Sequence, residues 1–373
     1  MRDYTLKNYE EQLNHQVIHM DQAVCYCPEF RASCMMHDYP SRRLQLARSV
    51  FKGDLEANDF IANLQFQSIL SRQGERWQNF GENPEDGMDA TILCRDMFVQ
   101  KGYGASIVEA LEETLGKNGG HIYGVNQQDY TNDLPIDAAS DTALLIDDAT
   151  AAFDESGIAG VGNYFKRKGE SFIPASARPA FLGFEYFAHG LVDAGIVHLK
   201  ALIEDLEYQG VKRVIVLSAQ AKYMLTTLAE KLGMPPAFQV EYLVDTMERA
   251  QCDTPSYLYA GSFNLRYCQE SHRLNTLYDN AVQDSIPTSQ EFTPLVKGDV
   301  RLNTLTIWQK PLGPEYRIFG MAESLLTKIE EDALRDIRMS GAQSILCFEP
   351  TALPILKEAC PDYSVHSYLE QLA

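Results

Sequence analysis

One local pattern occurs twice in the sequence, and it constrains the fold more than any other feature. The first copy is GVKRVIVLSAQAKYMLTTLAEKLG, residues 210–233, and the second is GAQSILCFEPTALPILKEACP, residues 341–361. Each copy has a glycine, a short apolar run, a polar residue and then an amphipathic helical pattern. A strand, a sharp turn and a helix are therefore expected in both places.

A helical pattern also precedes each copy. Apolar residues repeat on one helical face before each glycine, at Ile196, Leu199, Ile203 and Leu206 and at Ala322, Leu325, Ile329 and Ile337. Gly210 and Gly341 close these helices and are expected to adopt positive φ. Further strands are predicted at 143–146 and 257–260, one for each copy. The sequence thus predicts a duplicated α/β unit, roughly a hundred residues apart.

The residues before the repeat are mostly helical in pattern. The segments RRLQLARSVFKGDL and DATILCRDMFVQKG are the clearest, and a glycine follows the apolar positions of each. A length of 373 residues predicts two or three domains. We expect a helical domain at 1–135 and α/β repeats at 136–250 and 251–373.

Composition excludes several functional classes. The net charge of -20 argues against binding to a phosphate backbone, which depends on Lys and Arg. No apolar run reaches the length of a transmembrane helix, and the polar N-terminus MRDYTLKNYEEQLNHQ does not resemble a signal peptide. A cytoplasmic location is expected, with attachment to the periphery of a membrane only through a partner.

The stretch from Cys27 to Glu56, CPEFRASCMMHDYPSRRLQLARSVFKGDLE, resembles a known family. It is similar to the segment after the last cysteine of a 4Fe-4S ferredoxin motif in two-cluster electron-transfer subunits. These are the iron-sulfur subunits of glycolate oxidase and anaerobic glycerol-3-phosphate dehydrogenase and the heterodisulfide reductase catalytic subunit. The resemblance covers nearly the whole chain. It implies an N-terminal helical ferredoxin-like domain followed by two duplicated α/β CCG-type repeats.

The cluster ligands of that family are nearly all replaced in this chain. The four cysteine positions of the first motif, CxxCxxCxxxCP, correspond to Val17, Met20, Ala23 and Cys27. The positions of the second motif correspond to Gln73, Arg76, Asn79 and Asn83. The CCG cysteines correspond to Phe181 and Leu182 and to Pro311 and Leu312, and the CPxC cysteines to Ser218 and Ala221 and to Glu349 and Ala352.

These replacements imply that the chain has lost the family's cofactors. Iron-sulfur clusters are held by thiolates, which side chains such as Val, Met or Phe cannot replace. We therefore expect no cofactor, and we expect bulky residues such as Phe181, Leu182, Trp77 and Phe80 to fill the vacated space.

Two other groups are candidates for chemistry. Cys25, Cys27, Cys34 and His37 are ligand types for zinc, but their spacing is not a usual zinc pattern and core packing is the alternative. Asp147, Asp148, Ser218 and Glu349 follow predicted strands, where they would lie at the mouth of a cleft. The alternatives are a solvated turn for the two aspartates and contacts with helix N-termini for Ser218 and Glu349.

The expected function is that of a non-catalytic structural or regulatory subunit of an iron-sulfur/flavin oxidoreductase complex. The resemblance implies protein partners, either a flavoprotein or a paralogous iron-sulfur subunit. One alternative is an enzyme or small-molecule binder that uses the cleft between the two α/β repeats. A second alternative is a true electron-transfer subunit with unorthodox ligands.

Overall fold

The computed structural model describes residues 4–19, 27–73, 87–248, 250–270, 273–274, 277–282, 309–312 and 319–372. The chain forms two compact units. The helical unit comprises Met1–Glu112, Gly183–Ile196 and Lys310–Arg335. The α/β unit comprises Glu113–Leu182, Val197–Gln309 and Asp336–Ala373. The domain limits expected near residues 135 and 250 stay predictions.

In the described residues up to Gln100, the helical unit contains five α-helices. These are α1 (Glu10–His19), α2 (Pro28–Ser33), α3 (Pro40–Lys52), α4 (Asp59–Phe66) and α5 (Gly87–Gln100). Proline at the first position starts α3, and Gly53 with φ 81° ends it. Asn58 caps α4 by accepting a hydrogen bond from the Ile61 amide at 3.0 Å. Leu13, Leu44, Phe66, Ile92 and Phe98 are fully or almost fully buried and form part of its core.

Eight helices follow before the second sheet begins. They are α6 (Ala105–Lys117), α7 (Asp148–Phe153), α8 (Glu155–Lys168), α9 (Phe184–Ala188), α10 (Val192–Tyr208), α11 (Ala219–Tyr223), α12 (Ala229–Lys231) and α13 (Leu243–Thr246). A π-helical turn at Met224–Leu228 joins α11 to α12. The helix predicted in the first copy of the repeat is therefore continuous, with one wider turn.

The first sheet of the α/β unit contains three parallel strands in the order β1 (Thr142–Leu145), β2 (Arg213–Val216) and β3 (Gln239–Tyr242). After the first residue, β1 and β2 are entirely buried. Parallel strands covered on both faces have apolar runs of this kind.

The second sheet has the order β5-β4-β6-β7, again with parallel pairing. Its strands are β4 (Ala250–Tyr259), β5 (Tyr278–Val282), β6 (Ser344–Cys347) and β7 (Ser364–Ser367). Helix α14 (Glu323–Met339) precedes β6, and α15 (Ala352–Ala359) connects β6 to β7. The mixed α/β class is confirmed.

The helix–strand–helix pattern predicted in both copies is confirmed. Helices α10 and α14 precede β2 and β6, and Gly210 and Gly341 adopt φ of 75° and 74°. Among the described residues, no atom lies within 4 Å of where a Cβ would stand at either glycine. The left-handed backbone alone therefore favours glycine at these positions.

The strand limits differ from the prediction. Strands β1, β2 and β6 each begin and end one residue earlier than predicted, and the last residue of each apolar run lies beyond the ladder. Strand β4 covers Ala250–Tyr259, whereas the prediction was 257–260. After β6, the helix begins at Ala352 and not at Pro350, although proline is favoured at a first helical position. Among the described helices, none combines the length and the hydropathy that a bilayer-spanning segment requires.

Within the α/β unit, residues 364–372 contact residues of the first repeat. The Ser367 hydroxyl donates to the Asp154 carboxylate. Ser156 donates to Glu370 at 3.0 Å, and Arg167 donates to the Leu372 carbonyl at 2.5 Å. Residues 364–372 thus lie against the start and the end of α8.

Candidate functional site

The carboxyl ends of β1 and β2 carry a buried polar group, here called the aspartate cluster: Asp147, Asp148, Thr150 and Ser218. Asp147 caps α7 by accepting hydrogen bonds from the amide and the hydroxyl of Thr150, both at 2.9 Å. Ser218 caps α11 by accepting from the Ala221 amide at 3.2 Å, and its side chain lies close enough to Asp147 to oppose the rise in the pKa of that carboxyl. The structure therefore brings three of the four predicted cleft residues together, and the cap predicted for Ser218 is confirmed.

The prediction of a solvated turn at the two aspartates is wrong. Asp147 is 1 % exposed and Asp148 is 6 % exposed. Asp148 accepts a hydrogen bond at 2.9 Å from the Ile122 amide, which comes from an earlier loop that covers it. The sequence around the aspartates gives no sign of this covering segment.

Burial controls the ionisation of the cluster. It raises the pKa of Asp147 and raises the pKa of Asp148 to about 7, in spite of the hydrogen bond from the Ile122 amide. Burial also lowers the pKa of His121, whose Nδ1 lies 4.0 Å from the nearer Asp148 oxygen. Burial therefore favours the protonated form of both aspartates within this hydrogen-bonded cluster.

The carboxyl ends of β4 and β6 carry a second buried group, here called the glutamate cluster: Glu349, Thr351, Gly261 and Gln309. Glu349 is 4 % exposed, and its Oε1 accepts from the Thr351 hydroxyl at 3.2 Å. Gly261 adopts φ of 80°, and a Cβ there would lie 2.9 Å from the Glu349 Cβ. The absence of a side chain at Gly261 is what allows Glu349 to enter the interior.

A glutamine side chain completes the hydrogen bonds at the end of β4. Gln309 Oε1 accepts from the amides of Ala260 and Gly261 at 2.7 and 3.1 Å, and its Nε2 donates to the Leu258 carbonyl at 2.5 Å. The buried Arg266 donates to the Gln309 carbonyl at 3.2 Å. These contacts fix the backbone that surrounds Glu349.

Within the α/β unit, side-chain hydrogen bonds connect the carboxyl ends of the first sheet to those of the second. Tyr242, at the end of β3, donates to Asn264 Oδ1 at 3.0 Å, and Asn264 donates to the Ala260 carbonyl at 2.8 Å. The Tyr368 hydroxyl donates to the Leu217 carbonyl. The four predicted cleft residues consequently lie in a packed interior, whereas an open ligand site would expose some of them.

In the helical unit, Cys27 belongs to a hydrogen-bonded network. Its thiol donates to Glu29 Oε2 at 3.0 Å, and Glu29 Oε1 accepts from the Ser68 hydroxyl and the Ile69 amide, both at 2.9 Å. Burial, together with the charge of Glu29, raises the pKa of the Cys27 thiol well above its usual range. A buried thiol with a raised pKa is a weak nucleophile, so Cys27 has a structural role in this network.

Two buried arginines stabilise the surrounding loops, and sequence reasoning did not identify either role. Arg43 donates to the carbonyls of Asp38 and Gln67, the second at 2.9 Å. Arg95 donates to the carbonyls of Gln65, Ser68 and Ala188 at 2.8, 2.9 and 2.5 Å. The available signal for Arg95 was its position directly after the apolar residues Ile92, Leu93 and Cys94 of α5.

The remaining predicted cluster positions are buried where the structure describes them, except for the half-buried Val17. Buried positions are Gln73, Phe181, Leu182, Ala221, Pro311, Leu312 and Ala352. Met20, Ala23, Cys25, Arg76, Trp77, Asn79, Phe80 and Asn83 lie outside the described residues.

The described zinc candidates, Cys27, Cys34 and His37, are not grouped as a metal site. Cys34 is exposed, with φ of 57°, whereas Cys27 is fully buried. The His37 imidazole lies 3.6 Å from Asp38. In the part of the chain that the structure describes, no three His, Cys, Asp or Glu side chains are placed to hold a metal ion.

No family model, curated protein or solved structure matches this chain. Its relationship to the two-cluster iron-sulfur subunits therefore stays a prediction from the sequence.

Proposed function

We propose that the chain is a structural or regulatory subunit of an iron-sulfur/flavin oxidoreductase complex, without redox chemistry of its own. On this proposal it derives from an electron-transfer subunit with a helical ferredoxin-like domain and two CCG-type repeats. The supporting observation is that the described positions of the lost cluster ligands are packed or hydrogen-bonded within the protein. A cluster site would instead present thiolates around a cavity.

The positions that correspond to the first CCG motif support this proposal. Phe181 and Leu182 are 6 % and 2 % exposed. The Phe181 ring lies 4.9 Å from the ring of His198, and His198 Nε2 is 2.8 Å from the Phe181 carbonyl. An aromatic ring and an imidazole therefore fill the space where the family carries cysteines.

The positions that correspond to the CPxC turns support it as well. Ser218 uses its side chain to cap a helix, and Glu349 is held by Thr351 and by its close approach to Gly261. Both residues thus have structural partners in place of a cluster. The alternative of an enzyme in the inter-repeat cleft has less support, because these residues and the two aspartates are buried.

An apolar surface on the helical unit is a suitable docking site for a partner subunit. Met35, Met36 and Phe60 are 50, 45 and 65 % exposed, and the Phe60 ring lies 6.5 Å from the ring of His37, the neighbour of Met36. We call these three residues the docking surface. Methionine and aromatic side chains of this kind are enriched in protein interfaces.

The charges near the docking surface indicate what the partner presents. The exposed residues before Phe60 include the acidic Asp54 and Glu56 in the loop and Asp59 at the start of α4. A complementary partner therefore has an apolar centre with a basic rim. We propose a flavoprotein or a paralogous iron-sulfur subunit with such a surface, in the cytoplasm or bound to a membrane through that partner.

Purification of tagged protein from its native host tests this proposal. We expect a redox subunit to copurify with the wild type and to be lost in Phe60→Asp, because a buried interface does not tolerate an unpaired carboxylate. Tyr208→Asp is the matched control, since Tyr208 is 92 % exposed on α10. Retention of the partner by Phe60→Asp would exclude the docking surface, and recovery as a lone monomer would exclude the subunit role.

A second measurement tests the absence of redox chemistry. After anaerobic treatment with iron and sulfide, we expect no stable visible absorption of the kind that thiolate-bound clusters give. A stoichiometric cluster under these conditions would support the electron-transfer alternative and overturn the proposal.

A further inference from the structure

A polar cavity of about 390 Å³ opens on the second sheet, away from the aspartate and glutamate clusters. It lies at the opposite ends of the strands, where β6 and β7 begin. Its polar lining includes the side chains of Thr254, Ser256, Ser344, Ser364, His366 and Glu370. The roles proposed above do not use this cavity.

Three of the lining residues form a connected hydroxyl, imidazole and carboxylate. Ser364 and His366 are two residues apart on β7 and so lie on the same face of the sheet. Ser364 Oγ is 2.6 Å from His366 Nε2, and His366 Nδ1 is 3.3 Å from Glu370 Oε2. The two ring nitrogens therefore contact different partners, as they do in Ser-His-acid triads.

The contacts determine which tautomer His366 adopts. The Glu370 carboxylate accepts hydrogen bonds, so Nδ1 of the neutral ring carries the proton and donates it. Nε2 is then the free acceptor, and the Ser364 hydroxyl donates to it. Ser156 donates to the other Glu370 oxygen at 3.0 Å and thereby holds the carboxylate in place. This tautomer is the one that removes a proton from a serine hydroxyl.

Solvent and small molecules have access to the group. The side chain of His366 is 51 % exposed and that of Glu370 is 27 % exposed. Ser364 is also exposed. Unlike the buried clusters, this group can therefore meet a substrate.

The hydroxyls of Thr254, Ser256 and Ser344 form a chain of hydrogen bonds in which one proton can be redirected to a substrate. Ser256 donates to the Thr254 carbonyl at 2.9 Å, so its oxygen accepts from Ser344 at 2.6 Å. Thr254 Oγ1 is then the donor to Ser344 at 3.1 Å. As the last donor in the chain, the Thr254 hydroxyl can turn to a substrate oxygen. Ser344 pairs with Ser364 across β6 and β7, which places this chain beside the nucleophile.

We propose that Ser364, His366 and Glu370 hydrolyse an activated ester of a small polar acid in this cavity. Ser364 Oγ attacks the ester carbonyl carbon while its proton passes to His366 Nε2. The bond to the leaving alkoxide breaks, and that oxygen takes the proton from His366. Water then attacks the acyl-serine and gives a proton to His366, and that proton returns to Ser364 as the acid leaves.

The residues have different roles in this reaction. Ser364 is the nucleophile and His366 is the general base, while Glu370 is a positioning residue that fixes the ring. The Thr254 hydroxyl stabilises the charge that develops on the carbonyl oxygen. This hydrolysis involves no electron transfer, so it is independent of the proposed subunit role.

Labelling of the full chain with a fluorophosphonate tests the proposal. The Ser364 oxygen displaces fluoride from phosphorus, and its proton passes to His366. We expect one label per chain, located on Ser364 by peptide mass spectrometry and absent in Ser364→Ala. The control variant Ser106→Ala changes an exposed serine of helix α6 and should be labelled as the wild type is.

Two further variants separate a catalytic role from a structural one. His366→Gln should slow labelling by about 100-fold or more, the usual effect of losing a general base. Glu370→Gln should slow labelling without lowering the thermal midpoint, and Glu370→Asp should restore part of the rate. Hydrolysis of short p-nitrophenyl esters should follow the same order. A folded wild type that takes no label, a label elsewhere, or equal rates in His366→Gln would overturn the proposal.

Discussion

Replacement of Gly261 by alanine tests whether the glutamate cluster is closed as tightly as the structure indicates. Gly261 adopts φ of 80°, and the added Cβ would lie 2.9 Å from the Glu349 Cβ and 3.1 Å from its Oε2. Real Cβ atoms do not approach other atoms of the protein this closely. The clash involves the Cβ of Glu349 as well as its flexible end, so a rotamer change does not relieve it.

The cost has two parts that a matched variant can separate. A non-glycine residue in the left-handed region costs about 1–2 kcal/mol, and overpacking of an interior adds about 1–3 kcal/mol. Gly261→Ala should therefore destabilise the protein by roughly 2–5 kcal/mol. Gly210→Ala has nearly the same backbone, with φ of 75°, but no described atom within 4 Å of the added Cβ. Gly210→Ala should therefore cost only the backbone part, about 1–2 kcal/mol.

Equilibrium urea unfolding followed by circular dichroism measures both losses. The double variant Gly261→Ala with Glu349→Gly gives an internal check, because it removes the opposing Cβ. In the Glu349→Gly background, Gly261→Ala should cost no more than Gly210→Ala does. Equal losses for the two single variants would refute the packing around Glu349.

Two further predictions concern titratable groups. Burial raises the pKa of Asp154 to about 7, far above the value of about 4 that an unfolded aspartate has. Between these two pH values the folded protein binds a proton that the unfolded chain releases. The free energy of unfolding should therefore fall as pH rises from about 4 to about 7. Asp154→Asn should flatten this part of the curve of unfolding free energy against pH, and an unchanged slope would contradict the assignment. In native protein, iodoacetamide should modify the exposed Cys34 and leave Cys27 unmodified, because Cys27 is buried and its pKa is raised well above the usual range. Peptide mass spectrometry measures both sites, and rapid alkylation of Cys27 would show that its network with Glu29 is open.

The sequence predicted those parts of the fold that depend on neighbours along the chain. The strands and the helix-closing glycines at Gly210 and Gly341 follow from short apolar runs and from backbone preferences, and the cap at Ser218 follows from the polar residue between strand and helix. Strand ends were displaced by one residue, because Ile146 and Phe348 are apolar and buried but lie beyond the ladder. An apolar run predicts which residues are buried, and it does not predict which of them pair with a neighbouring strand.

Features that depend on distant residues were not predictable from local pattern. Asp147 and Asp148 resemble a polar turn in the sequence, whereas in the structure the loop at Ile122 contacts Asp148 and donates a hydrogen bond to it. The alternation of Ser364 and His366 on a short strand was visible in the sequence. The position of Glu370, however, depends on the turn after β7 and on a hydrogen bond from Ser156, more than two hundred residues away.

The return of residues 364–372 to helix α8 has a consequence for how the chain folds. Asp154, near the start of α8, receives its hydrogen bond from Ser367, and Leu217, at the end of β2, receives one from Tyr368. Asp154 therefore cannot receive this hydrogen bond until some two hundred residues beyond it have been synthesised. Contacts of such long sequence separation slow folding and leave a partly formed unit exposed in the meantime. We expect the α/β unit to reach its native state only after β7 has been made.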